Sequence, residues 1–444
     1  MRTAGLLLCT LVLAGLTARG DDLRPQVDQE LPSLIAIYKD LHAHPELSGH
    51  EERTSAFLAG ELRKSGFSVT EHVGKYADGS PALGVVAVLQ NGRGPVVLVR
   101  TEMDALPVEE KTGLPYASKV RTKNDAGQEV GVMHACGHDL HMTSLLGTAR
   151  MLAKLKDRWS GTLILIGQPA EETISGAKAM LADGFYSRFP KPDMAIALHD
   201  TNDLEAGKVG VAGGPILASS TSVTVTMRGM GGHGARPETT KDPVVMAAQL
   251  VLALQTIVSR QIAPQDPAVL TVGSIHGGSR PNIVPDEVVL QISTRSYRDE
   301  VRSTILAAIE RTARGVALAA GVPPDREPIV QTSATEYAPV TYNDPKLALR
   351  VQGALTTALG DKNVVEQKPE MVSEDFGLFG LEGRQIPITM FRLGAADPRQ
   401  LAESVRTGKP MPSLHSSIYY PQYEPAIRTG VVGMTSVVLD LMKK

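Results

Sequence analysis

Cysteine is nearly absent from this chain. Among 444 residues the only cysteines are Cys9 and Cys136, and Cys9 lies in an apolar stretch at the extreme N-terminus. With that stretch removed, Cys136 stands alone and no intrachain disulfide can form. Aromatic residues amount to 4%, which argues against a base-stacking surface for nucleic acid. An excess of either charge is also missing. The 45 Lys and Arg against 48 Asp and Glu leave a formal net charge of −3, so neither nucleic acid nor an anionic membrane is an expected partner. Internal repeats, low-complexity tracts and heptads are lacking too. The apolar run from Gly5 to Leu16 is too short to span a bilayer. Preceded by Arg2 and followed by Thr17-Ala18-Arg19-Gly20-Asp21, it reads as a signal peptide over residues 1–20, with Ala18 and Gly20 at the −3 and −1 positions. The expectation is a secreted or periplasmic protein with no stable membrane insertion once the signal is cleaved. Cys9 follows Leu8 rather than a small residue, which argues against a lipoprotein.

What is present is a soluble composition, 42% hydrophobic and 21% charged, in a chain long enough for two domains. One stretch concentrates the chemistry: Met133-His134-Ala135-Cys136-Gly137-His138-Asp139-Leu140-His141. Gly137 permits a tight turn, so that the Cys136 thiolate and the His138 imidazole can converge. Sulfur with imidazole nitrogen is the donor mix of a zinc-like ion. His141 lies one helical turn beyond His138, and Asp139 is placed to orient a ligating imidazole. A lone unpaired Cys in an exported protein is also explained by ligation, which fixes and shields the thiolate. Taken singly, the same residues could be a buried Cys with hydrogen-bonded histidines.

The surrounding pattern favours the metal. Apolar runs at 82–90, 95–100, 162–167 and 194–198 read as strands, alternating with helices near 31–41, 54–65, 140–156 and 176–182. Three of these runs are nearly all apolar, as strands buried on both faces are. The alternation predicts an α/β fold, a mostly parallel central sheet with helices on both faces. Ligands bind outside the carboxyl ends of such strands, and Glu102, Asp104, Glu171, Glu172 and His199 follow those ends. Beyond residue 213 the order becomes strand-helix-strand-strand-helix-strand, an antiparallel α+β module. It is expected as an inserted lid over 214–330, between catalytic parts 21–213 and 331–444.

The motifs then match a family. "LHAHPELSGHE" (41–51), "RTEMDALP" (100–107), "MHACGHDLHM" (133–142), "GQPAEE" (167–172), "ALH" (197–199), "GGHGARP" (231–237), "PNIVPDE" (281–287), "SEDF" (373–376) and "LHSS" (414–417) occur in order across about residues 32–440. The chain resembles the M20 metallopeptidases, in the aminoacylase-like amidohydrolase branch of hippurate hydrolases and auxin-conjugate hydrolases. The resemblance implies a di-metal exopeptidase-like catalytic domain, an inserted lid that also forms a homodimer, and two divalent ions per subunit, zinc or manganese. It implies Cys136, His138, Glu172, His199 and His415 as metal ligands, with Cys136 standing where other branches have a bridging Asp. It implies Glu171 as general base, Asp104 as the acid that orients a metal-binding His, and His233 as the lid residue that stabilises the transition state. Asn282 and Arg295 would bind a substrate carboxylate. Thr101-Glu102 replaces the family's Ala-Asp, and Glu102 receives no ligand role.

The expected activity is hydrolysis of N-acyl amino acids, hippurate-like conjugates included. A dipeptidase or carboxypeptidase of the same family is the alternative. A cysteine-nucleophile amidase and a non-catalytic binding relative are the readings from other classes. Read locally, "SEDF" is a helix start capped by Ser373, "HPEL" near Glu46 is a turn with packing, and the Gly229–Gly234 loop lacks both a P-loop lysine and Rossmann spacing.

Overall fold

The computed structural model describes residues 22–444 apart from 382 and 383, so the signal-peptide reading falls outside the described residues. The core of the sheet is four adjacent parallel strands in the spatial order Gly161–Gln168, Val96–Glu102, Met194–Glu205, Ile388–Ala396. Pro81–Asn91 and then Ser68–Lys75 extend one flank antiparallel. Val209–Val211 and Val364–Glu366 complete the other, giving eight strands. Strand Val96–Glu102 reads Val-Val-Leu-Val because both its faces are covered: Val97 and Val99 belong to one hydrophobic core and Leu98 to the other.

The first core lies under helices Arg24–Ala43, His138–Lys154 and Tyr423–Leu441, which pack on one another and on the sheet. The second lies under Gly176–Ala182, Phe185–Arg188 and the short 3-10 turn Asp375–Gly380. From Val96–Glu102 the chain crosses by helix His138–Lys154 to one neighbouring strand, then by Gly176–Ala182 to the strand on the other side. The two helices cover opposite faces, so a crevice opens at the carboxyl end of Val96–Glu102.

A second sheet is antiparallel throughout, in the order Ala268–Gly277, Glu287–Ser296, Ser219–Arg228, Ile329–Ala338. Helices Pro243–Gln261 and Asp299–Ala319 pack on it around a separate core. The alternating burial of Ser219–Arg228 shows why its apolar residues recur every second position. Several elements lie outside the sequence expectations, the short strands Val209–Val211 and Val364–Glu366 among them. Strand Ser68–Lys75 is a half-exposed edge with few apolar residues, and helix Pro398–Thr407 buries none of its residues.

One buried charge cluster ties the N-terminal helix to the site. His42 Nδ1 lies 2.7 Å from Asp139 Oδ2 and its Nε2 lies 3.2 Å from Glu110 Oε1. Asp139 therefore serves His42, not a ligating imidazole as expected from its place in the sequence. Burial works against the imidazolium, but the hydrogen bonds and charges of Asp139 and Glu110 outweigh it and raise His42 to about 9. Because the folded value exceeds the unfolded ~6.5, this contribution is complete below about pH 6.5 and is lost as pH rises through 9. Thermal unfolding of the metal-saturated protein is expected to lose on the order of 3 kcal/mol across that window from this group. His42→Gln is expected to flatten that slope. Parallel stability-versus-pH curves for the two proteins would refute the assignment.

Candidate metal centre

The period of two places a polar row at the carboxyl edge of one sheet face. Leu98, Ile166, Ala197 and Met390 are in the second core, so Arg100, Gln168, His199 and Arg392, two positions on, share their face at the edge. Each is buried. Facing this row is the start of helix His138–Lys154. Its N-cap Gly137 has φ +72°, and a Cβ there would sit 2.5 Å from a carboxylate oxygen of Asp200. Glycine is required for both conformation and space, and the turn it allows puts Cys136 and His138 on the same side as His199.

Cys136 Sγ lies 3.6 Å from His199 Nε2 and 3.3 Å from His415 Nε2. A tetrahedral ion with S and N ligands at roughly 2.3 and 2.0–2.1 Å holds such atoms about 3.5 Å apart. The backbone N–H of His415 donates to Ala135 O at 2.8 Å, and His415 has φ +67°, a strained conformation held by its loop. Among the described residues, His138 Nε2 and Glu172 Oε1 are buried with no hydrogen-bond partner, and they lie 3.9 Å apart. Two sets of ligand atoms, Cys136–Glu172–His415 and His138–Glu171–Glu172, each fall within 4.8 Å. Orphaned buried atoms that converge with sulfur and imidazole nitrogen fit two divalent ions.

The outer contacts fix the ligands. His199 Nδ1 donates to Asp200 O at 2.9 Å, and His138 Nδ1 to Asp104 O at 2.8 Å. These bonds leave each Nε2 facing inward. It is the Asp104 carbonyl, more than its carboxylate (3.5 Å), that orients His138. The Asp104 carboxylate instead accepts from Glu172 N at 2.9 Å. His141 is engaged at both nitrogens, with Glu102 at 3.0 Å and with Asp200 at 3.1 Å. Glu102, given no role from sequence, thus braces His141 and also pairs with the buried Arg100. Arg100 donates further to Glu374 at 2.7 Å and to Asp375 at 3.1 Å. Ser373 is not the cap of the segment that follows: Glu374 is, accepting from Phe376 N. The local reading of Glu374 and Asp375 as first-turn acids of a helix start misses this pairing, because Arg100 is 274 positions away from Glu374.

Glu171 and Glu172 occupy a turn (Ile174 N to Glu171 O, 2.7 Å), not an extended segment. Both carboxylates come to 3.9 Å from His138 Nε2. Their other neighbours differ. Glu172 lies 3.6 Å from His415, whereas Glu171 clusters with Glu374 and Asp375. Burial, then the Glu374 and Glu172 charges, push the Glu171 carboxyl well above its usual range. Burial, then the Glu172 and Glu171 charges, likewise push up the Cys136 thiol. A nucleophilic cysteine needs a lowered pKa, so this environment opposes the thiol-nucleophile reading and suits a thiolate drawn out by a cation.

The lid residues are placed apart. His233 is exposed on the two-residue strand Gly232–His233, paired with Ile283–Val284, and Asn282 O accepts from the adjacent Gly234 N. Among the described residues neither forms a hydrogen bond or ion pair with the cluster. Arg295, by contrast, reaches across from its sheet to Met371 O at 3.0 Å and Ser373 Oγ at 3.2 Å, next to Glu374.

This fold and centre define a metal-dependent amide hydrolase. Residues 98–406 match Peptidase family M20/M25/M40, and the chain belongs to that family. A hippurate hydrolase of Campylobacter jejuni is 36% identical over 345 residues, 77% of this chain and 84% of its own. An N-acetyl-L-cysteine deacetylase of Bacillus subtilis is 36% identical over 78% of this chain and 77% of its own. Thermostable carboxypeptidase 1 of Saccharolobus solfataricus is 35% identical over 83% and 87%. Among solved structures, an aminohydrolase from methicillin-resistant Staphylococcus aureus superposes with TM-score 0.80 at 29% identity, over 95% of this chain and 99% of that one. A dinuclear metal-binding peptidase of the M20 family from Bacillus subtilis does so with TM-score 0.74 at 25% identity, over 94% and 99%.

Proposed function

We propose that this protein is an exported N-acyl amino acid amidohydrolase. The observation that carries this reading is the convergence of Cys136, His199 and His415 beside the unsatisfied His138 Nε2 and Glu172 Oε1, with the buried Glu171 carboxyl alongside. Cys136, His138, Glu172, His199 and His415 would hold two divalent ions, which when bound supply a water of lowered pKa and polarise the scissile carbonyl. Glu171 takes the proton of that water and returns it to the leaving amine nitrogen. His233 donates to the oxyanion that develops on the carbonyl. The inserted domain, whose sheet runs from Ser219 to Ala338 and so past the expected end at 330, acts as the hinged lid that carries His233 and excludes water on closure. Arg295 and Asn282 hold the free carboxylate of the amino acid, the Arg fork giving two parallel bonds.

A homodimer through the lid suits its surface. Strand Ala268–Gly277 is a sheet edge, with Ile275 51% exposed. Helix Pro243–Gln261 is long and apolar enough to cross a membrane, yet it packs on this sheet and exposes Leu252 and Val245. An edge strand beside an exposed apolar helix face is a pairing surface.

The test is a hydrolysis screen of metal-loaded enzyme against N-acetyl, N-benzoyl and indole-acetyl amino acids, their C-terminal amides and simple dipeptides. Acyl amino acids are expected to turn over and their amides to be rejected, and chelation is expected to abolish activity until metal is restored. Arg295→Lys is expected to raise KM more than it lowers kcat. Equal turnover of acid and amide would remove the clamp, preference for dipeptides would support the dipeptidase alternative, and chelator-resistant activity would sink the metal mechanism. For export, sequencing of secreted or periplasmic material is expected to find a mature N-terminus between Thr17 and Asp21. A chain still beginning at Met1 would contradict it.

A further inference from the structure

The turn that carries Glu171 and Glu172 begins at Ala170, whose φ is +47°. A residue with a Cβ enters that region only when its surroundings impose it. Two buried carboxylates grip the turn. Glu51 Oε1 accepts the Ala170 N–H at 2.9 Å and the Gly49 N–H at 2.7 Å. Asp104 Oδ2 accepts the Glu172 N–H at 2.9 Å and the Ser48 hydroxyl at 2.7 Å. The backbone on both sides of Glu171 is therefore anchored, and Ser48, Gly49 and Glu51 all come from one short stretch before helix Glu52–Lys64.

Glu51 is fully buried. Among the described residues it has no ion pair with a cation, and its Oε2 has no hydrogen-bond partner. Burial first, and then the charge of Asp104, raise its carboxyl to about 8. Oε1 is occupied by two N–H donors, which leaves Oε2 as the oxygen able to carry a proton. A buried acid kept at such cost serves something beyond packing. We propose that Glu51 is a positioning residue: its Oε1 holds Ala170 in the left-handed conformation and so aims the Glu171 and Glu172 carboxylates together at the metal centre. This rests on the reading of Glu172 as a ligand and Glu171 as base.

The geometry makes the variants discriminating. Glu51→Gln retains an acceptor at Oε1 and places an amide NH2 where Oε2 lies. Glu51→Ala removes the acceptor. Glu51→Asp withdraws it by about 1.5 Å, one bond length. Full-length, metal-loaded proteins would be compared by competition with a chromogenic chelator for metal affinity and by kcat and KM. Glu172→Ala serves as control. Glu51→Ala and Glu51→Asp are expected to weaken the affinity for the looser ion about 10–100-fold, as loss of an outer contact does. They should also lower kcat by more than they change KM. Glu51→Gln is expected to recover both to within a few-fold of wild type.

Wild-type affinity and turnover in Glu51→Ala would overturn the proposal. So would a Glu51→Gln protein as impaired as Glu51→Ala, since charge rather than the acceptor would then matter. If Glu51→Ala does not fold, the pair Glu51→Asp and Glu51→Gln decides, and equal behaviour of the two counts against it. A Glu172→Ala protein that keeps both metals would show that the ligand assignment had failed, independently of Glu51.

Discussion

Glu171→Gln is expected to keep both metals and bind substrate while kcat falls by roughly 10²–10⁴, the loss typical of a general base. Glu172→Gln is expected to lose a metal first and activity as a consequence, with partial rescue by excess metal. Distance to His138 does not distinguish the two acids, since each lies 3.9 Å from its Nε2. Their remaining surroundings do. Glu172 shares a ligand set with Cys136 and His415, while Glu171 is backed by Glu374 and Asp375. Burial, then the Glu374 and Glu172 charges, raise the Glu171 carboxyl, which makes its carboxylate a stronger base for the proton it must accept and return. Glutamine keeps the size and one acceptor of the acid but cannot take that proton. Metal analysis of the two purified variants decides the matter. A metal-depleted Glu171→Gln beside a metal-replete Glu172→Gln would reverse the roles.

His233→Ala is expected to lower kcat by about 10²–10³ with metal content unchanged, the effect of removing one oxyanion donor. His233 is exposed and makes no hydrogen bond or ion pair with the ligand cluster among the described residues, so the proposed role requires its delivery by motion of the lid or by a second subunit. Co-refolded mixtures of His233→Ala and Glu171→Gln chains separate these routes. If His233 acts across a dimer, each mixed dimer contains one intact composite site, and activity rises well above that of either parent. Heterodimers that form without recovering activity would leave closure within one chain as the route.

The parallel core of the sheet was legible because a strand buried on both faces leaves a nearly unbroken apolar run, as Val96 to Val99 do. The strand-helix-strand-strand-helix-strand order of the second sheet was legible for a related reason: strands half-buried on one face alternate, and packed helices repeat near 3.6. Strand Ser68–Lys75 and helix Pro398–Thr407 were not legible, since elements that bury little carry little apolar signal. The loss of the expected Asp139 contact has the same origin in reverse. Asp139 stands next to a ligand in sequence, but its carboxylate is turned to His42, 97 residues earlier in the chain.

What the sequence determined by itself was the inventory of donors and the strand ends that deliver them. Sulfur, imidazole and carboxylate are chemical properties of residue types, and the placement of Glu102, Glu171 and His199 at or beyond the ends of the apolar runs follows from local periodicity. Only the tertiary structure decided which of these groups share a space. Glu374 and Asp375 became buried partners of Arg100, Glu102 became the brace of His141, and Glu51 became the anchor of Ala170 through contacts spanning 274, 39 and 119 positions. Such contacts leave no periodic trace, because a buried charge is satisfied by whichever opposite group the fold brings within hydrogen-bond reach, regardless of its distance along the chain.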